Sequence, residues 1–420
     1  MNTRKSTYTH PMSINSSFEK HLQHRYPDAV QFLKDLVSIN SFTVNADGVN
    51  ANAQRVIEQF APLNFQVRQE QCGLSGTGNH LILDSGGDAP AIALISHLDT
   101  VFSPQEEEQN NFHWKEEGDL VYGPGTIDIK GGTAMIWLML DALAAQDPEL
   151  FRQTRWIVLF NAAEEKLPLE FGELCLRVLP ENTKACLVFE ADNEKREKDF
   201  GLVDSRKGRG LFEVNVIGRN AHAGGYHRNG ANAIHQLALV VDRLEKLTDL
   251  DHETTVNVGK ISGGSVPNTV PAQASAVLEM RAFDEVYYRK TKEAILAMGG
   301  PGEIKSVNGG HACQIEIRQL SENPPWPQNP GTIHLAEIWQ QAAASCGHQL
   351  ISKPRGGLSD GNALWNKFPT VDGLGPRGAN PHCSTSSEDG SQEAEYVDLT
   401  SFVPKALINC LAVAKILESA

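Results

Sequence analysis

Residues 91–100 read AIALISHLDT, an apolar run that ends in His97 and Asp99. A short apolar run bounded by a polar turn is typical of a buried strand. Side chains two positions apart on a strand share a face, so the Asp99 carboxylate could hydrogen-bond the His97 ring and fix its tautomer. A polar strand end without any function would show the same H-x-D pattern. The stretch alone therefore predicts a strand and a candidate site.

Four further segments place acidic residues or histidine where an apolar run gives way to a polar turn. They are GPGTIDIKGG (123–132), NAAEE (161–165), LVFEAD (187–192) and ANPHCS (379–384). Ligands of α/β enzymes bind at the carboxyl ends of the strands, so these side chains are expected to converge at one sheet edge. Imidazole and carboxylate groups suit zinc, cobalt or manganese. Two histidines with three or four acids exceed the needs of one zinc ion and indicate two metals.

The single motifs leave alternatives open. Asp128 heads a D-x-K-G-G turn into a helix and could be its N-cap. Glu164 and Glu165 could form a solvated turn, although they follow a run that should be buried and adjacent carboxylates point in different directions. One of the two could then bind metal while the other faces the reacting water. Glu190 is followed by Asp192, and either could be a ligand.

Composition limits the partners. The chain has 420 residues, 40% hydrophobic and 21% charged, which predicts two domains with sizeable cores. A formal net charge of −15 argues against a nucleic-acid or anionic-membrane partner. No uninterrupted apolar stretch predicts a membrane span. The first 24 residues are polar and are predicted to be a loose arm, with a tight role in an oligomer as the alternative, and not a secretory signal.

The seven cysteines are scattered and contain no C-x-x-C pair, which predicts reduced thiols in a cytoplasmic protein. Cys383, beside His382, could act as a nucleophile. No second histidine or amide motif supports that interpretation, and a small residue near the site is the simpler one.

Apolar periodicity divides the chain into two parts. Up to about residue 200, helices and strands alternate, which predicts an α/β layer structure with a largely parallel core. Helices are predicted over 28–63, 131–146 and 171–179, and strands over 64–68, 79–84, 91–98, 156–160 and 185–189. Beyond residue 208 the order is β-α-β-β-α-β, the ferredoxin-like pattern. Its strands are predicted over 211–217, 253–262, 274–283 and 312–319, and its helices over 230–247 and 285–298.

These patterns predict an inserted domain over 208–322 and a discontinuous catalytic domain over 1–207 and 323–420. The Pro-rich segment SENPPWPQNP, 321–330, is interpreted as the linker back to the catalytic domain.

Eight segments in order give the chain a family resemblance. They are SHLDTV, GPGTIDIKGG, NAAEE, VFEAD, GRNAHAGG, SVPNTVPAQASAVLEMR, GGLSDGN and GLGPRGANPHCS, between residues 96 and 384. The chain resembles the dizinc exopeptidases and deacylases that include glutamate carboxypeptidase, succinyl-diaminopimelate desuccinylase, acetylornithine deacetylase and aminoacylase. The resemblance implies an α/β catalytic domain with a mostly parallel mixed sheet, and an inserted ferredoxin-like dimerisation domain.

The resemblance also implies a ligand set for two divalent ions, with zinc expected and cobalt or manganese as alternatives. His97 and Glu190 would hold one ion, Glu165 and His382 would hold the other, and Asp128 would bridge both. A non-proline cis peptide bond is expected directly after the bridging aspartate.

Further roles follow from the same resemblance. Asp99 would orient the first histidine, and Glu164 would be the general base. His222 would reach the active site of a neighbouring subunit and polarise the scissile carbonyl, which predicts a homodimer. Asn268 and Arg281 would bind the carboxylate end of the substrate.

The substrate-binding residues have other interpretations. A turn histidine such as His222 is common at a strand-to-loop junction. Arg281 alternates with apolar residues and fits either a solvated sheet face or a carboxylate clamp, for which its planar fork is suited. Arg355, before GGLSDGN, is a second clamp candidate.

The predicted activity is metal-dependent hydrolysis of an amide bond next to an amino-acid carboxylate. A carboxypeptidase that releases a C-terminal amino acid such as glutamate from a small peptide is preferred. The alternative is a deacylase that removes acetyl or succinyl from an N-acyl amino acid. A non-catalytic binding protein on the same scaffold is the remote alternative, because every expected ligand and the base are present.

Overall fold

The structure is a computed structural model that describes residues 11–166, 169–192 and 199–418. The helices within these residues are α1 (Pro11–Val37), α2 (Ala46–Phe60), α3 (Pro104–Gln109), α4 (Lys130–Gln146), α5 (Pro148–Arg152), α6 (Leu169–Val178), α7 (Ala233–Glu245), α8 (Glu285–Leu296), α9 (Pro330–Ser345) and α10 (Phe402–Glu418). The strands are β1 (Gln66–Gln71), β2 (Asn79–Asp84), β3 (Ala91–His97), β4 (Lys115–Glu117), β5 (Leu120–Tyr122), β6 (Arg155–Asn161), β7 (Thr183–Val188), β8 (Phe200–Arg206), β9 (Gly208–Ile217), β10 (Ala221–His222), β11 (Thr255–Gly263), β12 (Thr269–Val270), β13 (Gln273–Ala282), β14 (Gly300–Lys305), β15 (Ala312–Asn323), β16 (Leu350–Arg355), β17 (Thr370–Val371), β18 (Gly378–Ala379) and β19 (Tyr396–Asp398).

The chain divides into two compact units. The first runs to Asp204 and resumes over Gln328–Pro354 and from Ser359 onward; the second comprises Ser205–Pro327 and Arg355–Leu358. The central sheet of the first unit has the strand order β1-β2-β6-β3-β7-β17. Strands β6, β3, β7 and β17 are parallel, and β1 and β2 extend the sheet antiparallel. This mixed α/β sheet confirms the predicted fold class.

Strand β3 is apolar throughout because both of its faces are covered. Ile92 and Leu94 belong to a core formed with helices α1, α2, α4, α9 and α10. Ala93 and Ile95 belong to a second core formed with α6. A strand buried on both faces reads as a continuous apolar run. Its last residue, His97, is the register partner of Asn161, the last residue of β6, so the polar segments that follow the two strands start side by side.

The second unit contains a five-stranded antiparallel sheet in the order β11-β13-β9-β15-β14. Helices α7 and α8 contribute to the core on one face of this sheet. The predicted β-α-β-β-α-β order is present. The edge strand Gly300–Lys305 was not predicted, because its sequence GPGEIK is broken by glycine and proline and shows no clear alternation.

Several predicted boundaries differ from the structure. The helix predicted over 28–63 is two helices, since α1 ends at Val37 and Asn45 caps the start of α2. The predicted loose arm is wrong from residue 11 onward: α1 begins at Pro11, and Phe18 and Leu22 are buried in the core. Residues 1–10 lie outside the described part of the chain.

The second unit is larger than the predicted inserted domain of 208–322. Strand β15 continues to Asn323, into the segment interpreted as a linker. The short segment Arg355–Leu358 also belongs to this unit. Its backbone is bonded there, because Arg355 O accepts from Lys207 N at 3.2 Å and Gly356 O accepts from Arg281 Nη1 at 3.1 Å. Such pairing between distant segments leaves no local sequence signal.

One helical segment, Leu399–Glu418, is long and apolar enough to cross a membrane. However, 67% of its apolar window is buried inside the structure. Burial of this kind is expected for a core helix of a globular protein.

Candidate metal centre

Five predicted ligands converge at the carboxyl ends of the parallel strands. His97 ends β3, Glu165 follows β6 and Glu190 follows β7. Asp128 lies in the turn between β5 and α4, and His382 lies in the loop after β18. His97, Asp128 and Glu190 each offer an atom within 4.8 Å of the others, and Asp128, Glu165 and His382 form a second such group. Asp128 therefore belongs to both groups.

The two carboxylate oxygens of Asp128 face different histidines. Its Oδ1 lies 3.1 Å from His97 Nε2, and its Oδ2 lies 3.2 Å from His382 Nε2. His382 Nε2 is also 3.2 Å from Glu165 Oε2, and His97 Nε2 is 3.8 Å from Glu190 Oε1. This is the arrangement that a carboxylate bridging two cations requires. The backbone carries the predicted cis peptide bond between Asp128 and Ile129, which confirms that expectation.

The donor set fits divalent cations. Three carboxylates and two imidazoles meet in one place, and Glu165 Oε1 is a buried oxygen without a hydrogen-bond partner in the described part of the chain. Hydrogen bonds to Asp128 and Glu165 raise the pKa of His382 to about 11. Burial acts to raise the pKa of Asp128, but hydrogen bonds from His382 and His97 outweigh it and hold that pKa below its usual range. The carboxylates that hold a proton on His382 so strongly also favour the binding of a metal cation.

Asp99 does more than orient His97. The ring nitrogen His97 Nδ1 lies 3.0 Å from the backbone carbonyl of Asp99, and 3.4 Å from its carboxylate. The carboxylate instead accepts the backbone N–H groups of Glu164 and Glu165 at 3.0 and 3.3 Å, and the hydroxyl of Thr43 at 2.7 Å. One residue therefore serves both: its backbone carbonyl contacts the His97 ring, and its carboxylate holds the turn that carries the two glutamates.

Glu164 is buried beside the cluster, with 7% of its surface exposed. Burial raises the pKa of its carboxyl well above the usual value, and the nearby charges of Glu190 and Asp360 add to the rise against the opposing effect of His97. A raised pKa makes the carboxylate a stronger base, which favours removal of a proton from water.

The structure separates the two candidate acids after β7. Asp192 Oδ2 lies 2.6 Å from Lys405 Nζ, and both side chains are fully buried. Its Oδ1 accepts the backbone N–H of Gly201 at 2.7 Å. Glu190 is the acid of this segment that groups with His97.

Glu395 is a site residue that sequence reasoning missed. It is fully buried, and its Oε1 accepts the backbone N–H groups of Ile127 and Asp128 at 3.0 and 3.2 Å. Burial and the charge of Asp128 raise the pKa of Glu395 to about 8. Its partners are about 270 positions away in the chain, so no motif spacing marks it.

Two predicted substrate residues, His222 and Asn268, are neighbours in the second unit. Strand β10, which contains His222, pairs with β12, and Ala223 N donates to Asn268 O at 2.9 Å. Both side chains are exposed. His222 Nδ1 accepts the N–H of Gly225 at 3.0 Å, which leaves Nε2 directed outward to donate or accept.

Arg281, also in the second unit, already has an anionic partner. Its Nε donates to Glu279 Oε1 at 2.9 Å, and Glu279 Oε2 accepts from Arg209 Nε at 3.0 Å. Arg209 and Arg281 are direct cross-strand partners on β9 and β13. Two guanidinium groups share one carboxylate, so the pair retains a net positive charge. Arg355 belongs to the same unit, through the segment that contacts Arg281.

Cys383 has no base beside its sulfur among the contacts of the described residues. Its thiol donates to the backbone carbonyl of Thr385 at 3.3 Å and accepts from the amide of Gln392 at 3.3 Å. These contacts do not favour a cysteine nucleophile.

Comparisons with known proteins agree with this architecture. The peptidase dimerisation domain of the M20 family matches residues 204–298. Carboxypeptidase G2 from Pseudomonas sp. (strain RS-16) is 26% identical over 389 residues, covering 91% of this chain and 87% of its own. A probable carboxypeptidase from Aspergillus fumigatus is 28% identical over 305 residues, covering 67% of this chain and 66% of its own.

Solved structures share the fold. A tripeptidase from Staphylococcus aureus superposes with a TM-score of 0.71 at 20% identity, covering 94% of this chain and 99% of that chain. A dinuclear metal-binding peptidase of the M20 family from Bacillus subtilis gives a TM-score of 0.66 at 15% identity, covering 95% and 100%. Together with the candidate metal cluster, these similarities indicate a metal-dependent peptidase or amide hydrolase with an M20-type peptidase dimerisation domain over residues 204–298.

Proposed function

We propose that the protein is a dinuclear metal carboxypeptidase that releases a C-terminal amino acid, such as glutamate, from a small peptide or conjugate. The observation that carries the proposal is Asp128, whose two oxygens face two different ligand groups beside a buried glutamate. The similarity to Carboxypeptidase G2 over most of the chain supports the choice of reaction.

The proposed ligand sets are His97, Glu190 and Asp128 for one ion, and Glu165, His382 and Asp128 for the other. Zinc is the expected metal, with cobalt or manganese as alternatives. When bound, the ions would acidify water and polarise the scissile carbonyl.

In the proposed mechanism the side chain of Glu164 moves the proton. Its carboxylate takes a proton from the attacking water and later delivers it to the leaving amine nitrogen, as the C–N bond breaks. The burial that raises its pKa makes the carboxylate a stronger base for the first transfer. The hydrogen bonds from the Glu164 and Glu165 backbone to Asp99 hold the turn in place during these transfers.

The second unit is proposed to supply substrate recognition and dimerisation. We propose a homodimer in which His222 of the partner subunit donates a hydrogen bond to the developing oxyanion. Asn268 and Arg281 would bind the terminal carboxylate, with Arg355 as a further candidate. A bidentate guanidinium–carboxylate pair suits this role. Arg209 and Arg281 carry two positive charges against the one negative charge of Glu279, so a net positive charge remains to attract the substrate carboxylate. All seven cysteines are free thiols, which supports a cytoplasmic location.

The decisive experiment measures amine release from C-terminal glutamate conjugates, dipeptides, and N-acetyl or N-succinyl amino acids. Each reaction is run with zinc, cobalt or manganese, and with a chelator as control. Chelator-sensitive turnover of the glutamyl conjugates or dipeptides supports the carboxypeptidase proposal. Turnover of only the small acyl substrates would make the protein a deacylase. Activity that survives complete metal removal would refute both. Sedimentation analysis tests the dimer: a fully active monomer would contradict the role of His222.

A further inference from the structure

The turn that carries Glu164 is held in an uncommon way. Four successive backbone N–H groups each donate to a side-chain acceptor, not to a backbone carbonyl. The pairs are Ala162 with His80 Nδ1 at 3.1 Å, Ala163 with Asn161 Oδ1 at 3.0 Å, Glu164 with Asp99 Oδ1 at 3.0 Å, and Glu165 with Asp99 Oδ2 at 3.3 Å. Most backbone N–H groups in proteins bond to other backbone groups. Here the direction of each peptide plane depends on specific side chains.

His80 is the acceptor that comes from outside the ligand-bearing segments. It lies on β2, and its neighbour Leu81 is the register partner of Phe160 on β6. Its ring is 2% exposed and packs on Phe171 with a centroid distance of 5.1 Å. The imidazole therefore has little freedom, and it presents Nδ1 to the first N–H beyond the end of β6.

This bond fixes the protonation of the ring. Because His80 Nδ1 accepts the Ala162 N–H, the neutral ring carries its hydrogen on Nε2. Nε2 lies 3.5 Å from Glu170 Oε1, and Glu170 in turn accepts the backbone N–H of Gly73. Burial lowers the pKa of His80, which keeps the ring neutral and Nδ1 available as an acceptor.

A metal site is the alternative interpretation of the same residues. Cys72, His80 and Glu170 each offer a ligand atom within 4.8 Å of the others. A ligating imidazole nitrogen must be unprotonated, but Nδ1 is occupied by Ala162 and Nε2 carries the hydrogen. Burial raises the pKa of Cys72, so the thiol stays protonated and is a poor ligand. These protonation states do not favour an ion in this cluster.

We propose that His80 is a positioning residue for Glu164, acting through the Ala162 backbone. This inference rests on the proposed function, in which Glu164 transfers the proton. The N–H of Ala162 lies two residues before Glu164, and a change in its peptide plane rotates the rest of the turn. Asn161 fixes the next N–H, and its own amide donates to Asp360 Oδ1 at 2.9 Å. The base is thereby tied to the β1–β2 hairpin as well as to the ligand-bearing strands.

Two substitutions separate hydrogen bonding from packing. His80→Asn places Oδ1 near the position of Nδ1 and preserves an acceptor for the Ala162 N–H. His80→Leu fills a similar volume but removes the acceptor. Ile82→Val is the matched control, because Ile82 lies on the same strand and face and is buried in the α6 core without contacting the turn by a hydrogen bond.

The measurements are kcat and KM with metal in excess, bound metal per chain, and hydrogen exchange of peptides that span Ala162–Glu165 in the metal-free protein. We expect His80→Leu to lower kcat at least about tenfold, since small displacements of a catalytic group are costly. KM and bound metal should stay within about twofold of wild type, and exchange in the turn should accelerate. His80→Asn should recover most of the kcat, and Ile82→Val should leave kcat and turn exchange unchanged.

The outcomes are distinguishable from those of the proposed function. If the wild-type protein hydrolyses no amide substrate, the proposed function fails, while hydrogen exchange still reports on the His80–Ala162 bond. If the wild type is active and His80→Leu keeps its kcat, the positioning role is refuted. A loss of kcat that parallels a loss of bound metal would also overturn it, because the effect would then act through the ligand Glu165.

Discussion

Replacing Glu164 by Gln should change activity and stability in opposite directions. The substitution keeps the size of a side chain that is 7% exposed and removes only its ability to ionise. Proton transfer by a positioned side chain contributes about 10²–10⁴-fold to a rate. Because Glu164 is assigned both the first and the second transfer, we expect kcat to fall at least about 10²-fold, with KM little changed.

The stability change follows from the direction of the pKa shift. Burial raises the pKa of the Glu164 carboxyl well above its usual range. The folded, metal-free protein therefore binds a proton more readily than the unfolded chain, so this group costs stability as the pH rises above 4.5. Gln carries no charge, so the variant does not lose stability by ionising a buried group as the pH rises. We therefore expect the free energy of unfolding of the Gln variant at pH 8 to exceed that of the wild type.

The assay combines three measurements on wild type and variant. These are kcat on the best amide substrate, bound metal per chain, and urea unfolding of the metal-free protein at pH 5 and pH 8. The stability gain should be larger at pH 8, where the wild-type carboxyl is more ionised. A variant that binds both metals and keeps kcat within about tenfold of wild type would refute the assignment of the base. A variant that is less stable at pH 8 would refute the electrostatic argument.

Three other predictions concern the metal, the core and the substrate clamp. Chelation should lower the melting temperature and restoring the metal should recover it, because bound ligand stabilises the folded state; a melting temperature insensitive to chelator would contradict a metal centre in this cluster. Lys405→Met should lower the free energy of unfolding in urea by about 3–5 kcal/mol, since it leaves Asp192 charged and buried. Adding Asp192→Leu to Lys405→Met should recover much of that loss. Equal losses in the single and the double variant would exclude an ion-pair effect. Arg281→Met should raise KM for carboxylate substrates about tenfold or more. Glu279→Gln should lower KM, because it removes the anion that competes with the substrate for Arg281. An unchanged KM in both variants would contradict a role of Arg281 in substrate binding.

A residue's position in this structure is predictable from the sequence when its contacts are set by nearby residues or by strand pairing. It is not predictable when its partners lie far away along the chain. The ends of β3 and β6 are predictable because parallel pairing puts His97 and Asn161 in register. The strand-end ligands then follow from chemistry and the family resemblance. Glu395 and His80 are not predictable in this way, because their partners Ile127 and Ala162 lie far along the chain and no periodic pattern links them.

Other differences arise where local preference and tertiary contact disagree. The segment before residue 25 is polar on average, yet Phe18 and Leu22 are one helical turn apart and bury against the core. The average polarity of a segment does not reveal such a narrow apolar stripe. Two apolar residues per turn or fewer are enough to pack a helix against a surface. Similarly, the H-x-D pattern predicted that the Asp99 carboxylate bonds the His97 ring. The ring nitrogen is closer to the Asp99 backbone carbonyl, and the carboxylate accepts the N–H groups of the turn after β6.

The acidity of the site links metal binding to folding. Glu395 is buried against the Asp128 backbone and Glu164 is buried near His97 and Glu190, and burial raises the pKa of both acids. A buried amine, Lys130, donates to Ile39 O at 3.0 Å; burial lowers its pKa to about 8, against the opposing effect of the charges of Glu107 and Glu395. Divalent cations can neutralise Glu164 and Glu395 without consuming the proton that the base must exchange. Bound cations would therefore also offset the cost of burying these acids, and Asp128, which belongs to both ligand groups, is the carboxylate that both ions would share.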